Sequence, residues 1–545
     1  MFKEEIIKLL SEEVKLSKEE IESLIEVPPD SSLGDYAFPC FSLARTYKKN
    51  PQEIAREIAG KLKTNAKIEK IENKGPYVNF FINKKKLAEQ IIKIGEEYGR
   101  KKGARKLLLE HTSVNPNASP HVGRTRNSII GDSIKRILEF SGNKVETHYY
   151  VNDVSKQIAM LALVFSQKDK FEDLLNKYVE VSSKIKENPD LEKKVFELLY
   201  KFEHKDKKTT VLFKKIVDTA VKGQKKIFSD IGIEFDYFDY ESHYINGGRE
   251  VLKELEKTGK LFKDEEGRLV LNQENTGLER SMKSPVLVLT RSDGTGLYPL
   301  RDLAYTIEKC KKGRNILILG EDQKLYFEQL KQALLLLKKP YPEVVHYSFV
   351  LLKDSGKMST RRGEVVLLTD FLKEAKEKAE QEISKRKTKG DAKKIAIGAV
   401  KYANLKNENN KNITFDWQSA LNFEGDSGPY MQYSYARASS ILRNAKKTRK
   451  TKNKIAIKSL EEKEIQLIKK ISEFQDNVER AAVQLNPSLI ANYALQLAHS
   501  FNEFYHSCQV IGSESEAFRL KLVKAFRITM KNSLYLLGID AIEEM

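Results

Sequence analysis

The sequence predicts a multidomain α/β protein. A parallel-sheet core with a helical insertion lies between a small α+β N-terminal domain and an all-α C-terminal bundle. Three observations predict it. From residue 106, short apolar runs at 107–110, 285–290, 315–319 and 347–352 alternate with amphipathic helical stretches, the pattern of βαβ units. Residues 165–228 keep a helical period, rich in Lys and Glu, with no strand-like run among them. After residue 369 nearly every segment is helical in period.

Taken in order, residues 1–98 form the N-terminal domain. Helical stretches at 2–14 and 51–62 flank a turn at 28–34, and a strand at 77–82 closes the unit. The Gly- and Lys-rich run 95–103 reads as a linker. Residues 104–368 form a Rossmann-type core, carrying the insertion at 165–228. A helical connection, 369–420, leads to the bundle at 421–545. Helices are expected at 371–385, 392–402, 429–445, 461–485, 487–508 and 517–537, with an exposed basic loop at 446–458. No repeat of solenoid length occurs.

The 545 residues are 40% hydrophobic and 32% charged, enough for several cores, and carry a formal net charge of +19. Such an excess favours a polyanionic partner, although lysines that merely solvate helices explain it equally well. The longest apolar runs, such as 333–337, fall far short of the roughly 20 residues a spanning helix needs, so no membrane partner is expected. The charged start MFKEEIIKLLSEE lacks the apolar core of a signal peptide. Cys40, Cys310 and Cys508 are far apart and the eight histidines form no HExxH pattern, so neither a structural metal nor a disulfide framework is expected. A reducing cytoplasm suits this cysteine usage.

Two segments carry chemistry. In LLLEHTSVNPNASPHVGRTRNSIIGDSIKRIL (107–138), a buried strand enters a polar turn and then a helix with Ile129, Ile130, Ile134, Ile137 and Leu138 on one face. The turn delivers Ser119, Pro120, His121, Val122 and Gly123 to the helix start, where free amides and the dipole favour phosphate. Gly123 allows close approach of a nucleotide, and His121 can donate to a charged phosphate oxygen. Taken alone, a capped core helix with an incidental histidine fits as well. In LLKDSGKMSTRRGEVVLL (351–368), apolar flanks bracket a loop with Lys357, Ser359, Thr360, Arg361 and Arg362, able to supply charge to a departing pyrophosphate. Alone, it reads as an ordinary basic hairpin.

Together the two segments are specific. HVGR at 121–124 resembles the HIGH motif of class I aminoacyl-tRNA synthetases, and KMSTR at 357–361 resembles their KMSKS loop, in the family's order and about 240 residues apart. EHTSVNP at 110–116, GKMSTRRG at 356–363 and EGDSGPYMQYSYAR at 424–437 resemble the arginyl branch. So do GDYAFPCFSLA at 34–44, NPQEIA at 50–55, GPYVNF at 75–80 and the ending LGIDAIEEM.

The resemblance implies arginine activation by ATP with Mg²⁺, then transfer to tRNA(Arg), by a cytoplasmic monomer whose first step requires bound tRNA. It assigns Glu110, Asn115, Tyr298, Asp302 and Gln323 to arginine, and His121, Gly123, Lys357, Met358 and Ser359 to ATP. The carboxylates suit a guanidinium, and Tyr298 and Asp302, four apart, share a face if helical. In isolation, Asp302 reads instead as a helix carboxylate pairing with Arg301 or Lys309. The resemblance makes the C-terminal bundle an anticodon-binding domain, with Tyr430, Tyr433 and Arg437 toward tRNA beside Tyr435, and places Tyr77 and Asn79 at the tRNA elbow. Core packing is the competing reading for each tyrosine. Arg124 stands where HIGH ends in His, Thr360 where KMSKS has its second lysine, and Ala118 where a compensating lysine is common. Arg124, Arg361 and Lys357 are therefore expected to share the charge on pyrophosphate. Alternatives are a class I synthetase of other specificity or an inactive tRNA-binding paralogue. A cysteinyl enzyme needs zinc-ligand cysteines and a glutamyl enzyme needs cations where Glu110 and Asp302 stand.

Overall fold

The computed structural model describes residues 2–352, 356–357, 366–387, 389–448, 457 and 459–545. Two compact units emerge. The first joins residues 1–98, 441–473 and 499–529, and the second joins 99–440, 474–498 and 530–545. The strands, in chain order, are β1 (Tyr36–Pro39), β2 (Ile68–Lys74), β3 (Tyr77–Ile82), β4 (Arg105–Glu110), β5 (Asn143–Val151), β6 (Tyr237–Tyr240) and β7 (Leu261–Lys263). They continue with β8 (Leu269–Asn272), β9 (Val286–Val288), β10 (Arg314–Gly320), β11 (Glu343–Tyr347), β12 (Val350–Leu352), β13 (Gly356–Lys357) and β14 (Ile413–Phe415).

In the first unit β1, β3 and β2 form an antiparallel sheet in that order. The GDYAFP segment has a local reason. Gly34 sits at φ +108°, and a Cβ there would lie 3.0 Å from Phe80 O, so only glycine fits. That turn presents Asp35, whose carboxylate accepts from Ile82 N at 2.9 Å and pairs with Lys469. Asn50 caps the helix Pro51–Lys61 by accepting from Gln52 N, with proline at its first position, which accounts for NPQEIA.

The second unit is built on a five-stranded sheet ordered β11-β10-β4-β5-β6, parallel throughout. Leu107, Leu108 and Leu109 of β4 are all buried, as a central strand covered on both faces requires. The chain runs outward from β4 through β5 to β6, then returns to the other side of β4 as β10 and β11. This reversal opens a crevice at the carboxyl ends of β4 and β10, where open α/β sheets bind ligands. The helix Val122–Phe140 links β4 to β5 and buries the predicted isoleucine face. The insertion, between β5 and β6, consists of helices Asp173–Glu187, Pro189–Glu203 and Lys207–Asp230.

Two strand expectations need correction. The run 285–290 yields β9, but β9 belongs to a separate antiparallel sheet with β8 and β7, because an apolar run does not specify its partner. The run 347–352 divides: Tyr347 ends β11, and β12 leaves the main sheet to pair with β13 and β14. The cause is a polar turn. Ser348 N donates to Asn409 O at 2.9 Å and Phe349 N to the Asn412 side chain at 3.1 Å, drawing the chain aside. The expected helix at 461–485 is two, Glu462–Ser472 and Phe474–Gln484. Among the described residues no helix is long and apolar enough to cross a membrane.

Candidate active site

Glu110 ends β4, and the loop after it bends through Thr112 (φ +80°) and Ser113 (φ +43°), left-handed conformations that cost non-glycine residues free energy. Neighbours hold that strain. Thr112 N donates to Asn127 Oδ1 at 2.8 Å, while Asn127 Nδ2 reaches Ile318 O on β10 at 3.0 Å. The buried Gln224 amide, from insertion helix Lys207–Asp230, donates to Asn115 O and Ala118 O, both at 2.9 Å. The predicted Asn115 lies exposed on this loop.

His121 is the N-cap of the helix Val122–Phe140 but caps nothing with its side chain. Its Nδ1 is buried with no partner among the described residues. Burial first, and the Arg124 cation second, push its pKa down to about 4, so the imidazole is neutral at pH 7. The amides at this helix start are fewer than the sequence suggests. Val122 N donates to Val366 O at 3.1 Å, and Leu368 N to Pro120 O at 2.7 Å, leaving Gly123 N without an acceptor among the described residues. Arg124 is half-buried beside Tyr347 at the end of β11. Lys357 lies on β13 opposite Leu351. Met358, Ser359, Thr360, Arg361 and Arg362 lie outside the described residues, so the sharing of charge among Arg124, Arg361 and Lys357 rests on sequence.

Against β10 packs the helix Tyr298–Lys311. Leu300, Leu303 and Ala304 anchor it in an apolar cluster with Val251, Leu255 and Leu287. Gly248 makes the close approach possible, since a Cβ there would sit 3.2 Å from Leu300. The other face carries Tyr298, Asp302, Tyr305 and Lys309 at i, i+4, i+7 and i+11.

Their charges are not equivalent. Glu110, 7% exposed, pairs with Lys309, 3% exposed, so the charge of Glu110 is already balanced. Arg301 directs its guanidinium to Glu241 at 2.6 Å and Glu203 at 3.7 Å. Asp302 therefore joins neither cation named as its partner when read in isolation. Among the described residues it has no ion pair; it accepts from Tyr326 Oη at 2.6 Å. Burial pushes its carboxyl up to about 6, against the opposing effects of the Tyr326 bond and Arg301. Tyr298 packs 5.1 Å from Tyr326 and Tyr150 stacks on Tyr305 at 4.3 Å. Among the described residues the buried Tyr150 hydroxyl makes no hydrogen bond of good geometry, though it lies near enough to Asp302 to influence it. Gln323 ends the turn that follows β10.

Tyr150, Glu241, Tyr326 and Gln224 were not read from the sequence, and Lys309 was read only as a partner for Asp302, not for Glu110. Tyr305 and Lys309 continue the Tyr298–Asp302 stripe and were legible by extending it; the others come from distant segments. Of the residues expected at tRNA, Tyr77 is half-buried with its ring 5.6 Å from exposed Phe41, whereas Asn79 is almost wholly buried. Tyr430 is half-buried, Arg437 lies 4.7 Å over the half-buried Tyr433 ring, and Tyr435 is a core residue donating to Glu543 at 2.8 Å. Cys40, Cys310 and Cys508 are free thiols. Among the described residues, Glu461, Glu464 and Cys508 converge as metal ligands could, but Arg519 donates to both carboxylates, giving an ion-pair cluster.

A reversing parallel sheet that carries the HVGR helix after β4, with a second helix presenting an acid among tyrosines, is the architecture of a class I aminoacyl-tRNA synthetase. Comparison with known proteins agrees. Residues 87–417 match the profile of tRNA synthetases class I (R), catalytic domain, residues 431–545 the DALR anticodon binding domain, and residues 1–82 the arginyl tRNA synthetase N terminal domain. The chain belongs to the arginyl-tRNA synthetase family. It is 38% identical to the arginine–tRNA ligase of Methanocaldococcus jannaschii, over 99% of each chain, and 34% identical to that of Clostridium perfringens, over 100% of each. The fold superposes on Thermus thermophilus arginyl-tRNA synthetase with a TM-score of 0.82 at 27% identity, covering 100% of this chain and 99% of that one.

Proposed function

We propose that Asp302 is the anchor for the substrate guanidinium in a chain that ligates L-arginine to tRNA(Arg) with ATP, through an arginyl-adenylate. One observation carries this reading: among the described residues Asp302 has no ion pair and lies among tyrosines, while Glu110 pairs with Lys309, and Glu203 and Glu241 share Arg301. A planar cation is the ligand that such a site lacks, since paired donors on a carboxylate satisfy charge and geometry together. Tyr298, Gln323 and the Tyr150 hydroxyl supply neutral hydrogen bonds, and Asn115, exposed on the strained loop, supplies another. With the guanidinium held there, the arginine carboxylate is directed toward the α-phosphate of ATP at the Val122–Phe140 helix. His121 and Gly123 N donate to phosphate oxygens, and Arg124 with Lys357 supports the leaving pyrophosphate, which carries Mg²⁺. Position and charge do the work, with no protein nucleophile.

Tyr77, Tyr430, Tyr433 and Arg437 are offered as tRNA contacts, because exposed or half-exposed aromatics beside cations stack on unpaired bases. The buried Asn79 supports the sheet under Tyr77. The ATP-dependent reaction suits a cytoplasmic enzyme. Incubation with tRNA, ATP and each of several labelled amino acids tests the reading. Charging with arginine alone supports it, charging with another amino acid refutes the specificity, and tRNA binding without charging refutes catalysis.

A further inference from the structure

We propose that Arg126 is a positioning residue that fixes the signature helix Val122–Phe140 against the strand pair leading to Lys357, and so sets the rate of adenylate formation. The proposal rests on the reading of the site given above. Arg126 is 0% exposed, and among the described residues it pairs with no carboxylate. Its Nη1 donates to Ser348 O at 2.7 Å and to Lys411 O at 2.6 Å, and its Nη2 donates to Glu408 O at 3.1 Å. A buried charge held only by carbonyl dipoles is costly, and a planar fork grips several fixed acceptors at once.

The acceptors are not arbitrary. Ser348 lies two residues before β12, and the 408–411 turn lies just before β14, the parallel partner of β12. The same junction is stitched by Ser348 Oγ to Asn410 O at 2.7 Å and by Phe349 N to the Asn412 side chain. β12 then pairs with β13, where Lys357 stands opposite Leu351. At the other end of the segment, Val366 and Leu368 bond to Val122 and Pro120. The first two turns of one helix, which also carry His121, Gly123 and Arg124, therefore hold both flanks of the KMSTR segment. Arg126 is the tie at the entry side. Burial lowers its pKa to about 10, which leaves it charged at neutral pH, so releasing the carbonyls would strand a cation in the interior.

The test uses the full-length Arg126→Lys, Arg126→Met and Ser348→Ala variants with tRNA present. ATP–pyrophosphate exchange gives kcat, calorimetry gives the arginine Kd, and wild-type exchange serves as the control for the underlying reading. We expect kcat to fall about 10- to 100-fold in both Arg126 variants, and by less in Ser348→Ala, with arginine Kd within about twofold. Arg126→Met with near-wild-type kcat overturns the proposal. A fall in kcat matched by an equal loss of arginine affinity and of thermal stability, in Arg126→Lys and Ser348→Ala alike, also overturns it, because that marks general loosening. If Arg126→Met is insoluble, the other two variants decide.

Discussion

Asp302 owes its character to what is missing around it. Its neighbours bring hydroxyls and rings but no cation within ion-pair reach among the described residues, and burial lifts its carboxyl to about 6. If Asp302 holds the substrate as proposed, arginine needs the ionised form, and protons compete with it once the pH drops below that value. Arginine KM should be flat above about pH 7 and rise roughly tenfold per unit below pH 6, a profile that steady-state kinetics can record. Asp302→Asn keeps the shape and removes the charge; arginine affinity should fall at least about 100-fold in calorimetry. His121, by contrast, is already neutral with a pKa of about 4. The kcat profile between pH 6 and 8 should therefore show no step from it, and His121→Ala should lower kcat about 100-fold at constant arginine KM. Glu110 and Asp302 could both be named from the sequence by resemblance. That Lys309 balances Glu110 and leaves Asp302 unmatched could not, because charge balance depends on which side chains a fold brings within 4 Å.

At the scale of elements, the crevice depends on segments that look unrelated in sequence. The Val122–Phe140 helix was legible from its isoleucine face and its HVGR start, whereas for Tyr298–Lys311 the sequence offered only that Tyr298 and Asp302 share a face if helical. What escaped was the lateral support. Gln224, deep in a Lys-rich insertion helix, reads as one polar residue on an amphipathic stretch, yet it holds two carbonyls of the strained loop after β4. Gln224→Leu leaves the Ala118 carbonyl buried without that donor, and Asn115 O with only the Asn117 amide. The expected result is a kcat/KM for exchange lowered about 10- to 100-fold with helicity unchanged by circular dichroism. The helix start also differs from expectation, since Val366 O takes the Val122 amide that a phosphate would otherwise use. Backbone pairings of this kind leave no trace in residue identity, just as the apolar run 285–290 did not reveal that its partners were β8 and β7.

For the whole molecule, the class of fold was readable because periodicity, motif order and the strand-to-helix turn agreed along the chain. The grouping of residues 441–473 and 499–529 with 1–98 was not, since helical period says nothing about which helices pack together. The net charge of +19 belongs to this scale as well. If it serves RNA and the buried Asp302 holds arginine, tRNA KM should rise steeply on a logarithmic plot against salt between about 50 and 200 mM, while arginine KM changes far less. The most direct measurement is a crystal structure with L-arginine bound. A guanidinium nitrogen is expected about 2.8 Å from the Asp302 carboxylate, with Glu110 still facing Lys309. A guanidinium held elsewhere, with Asp302 left facing its tyrosines, would contradict this expectation.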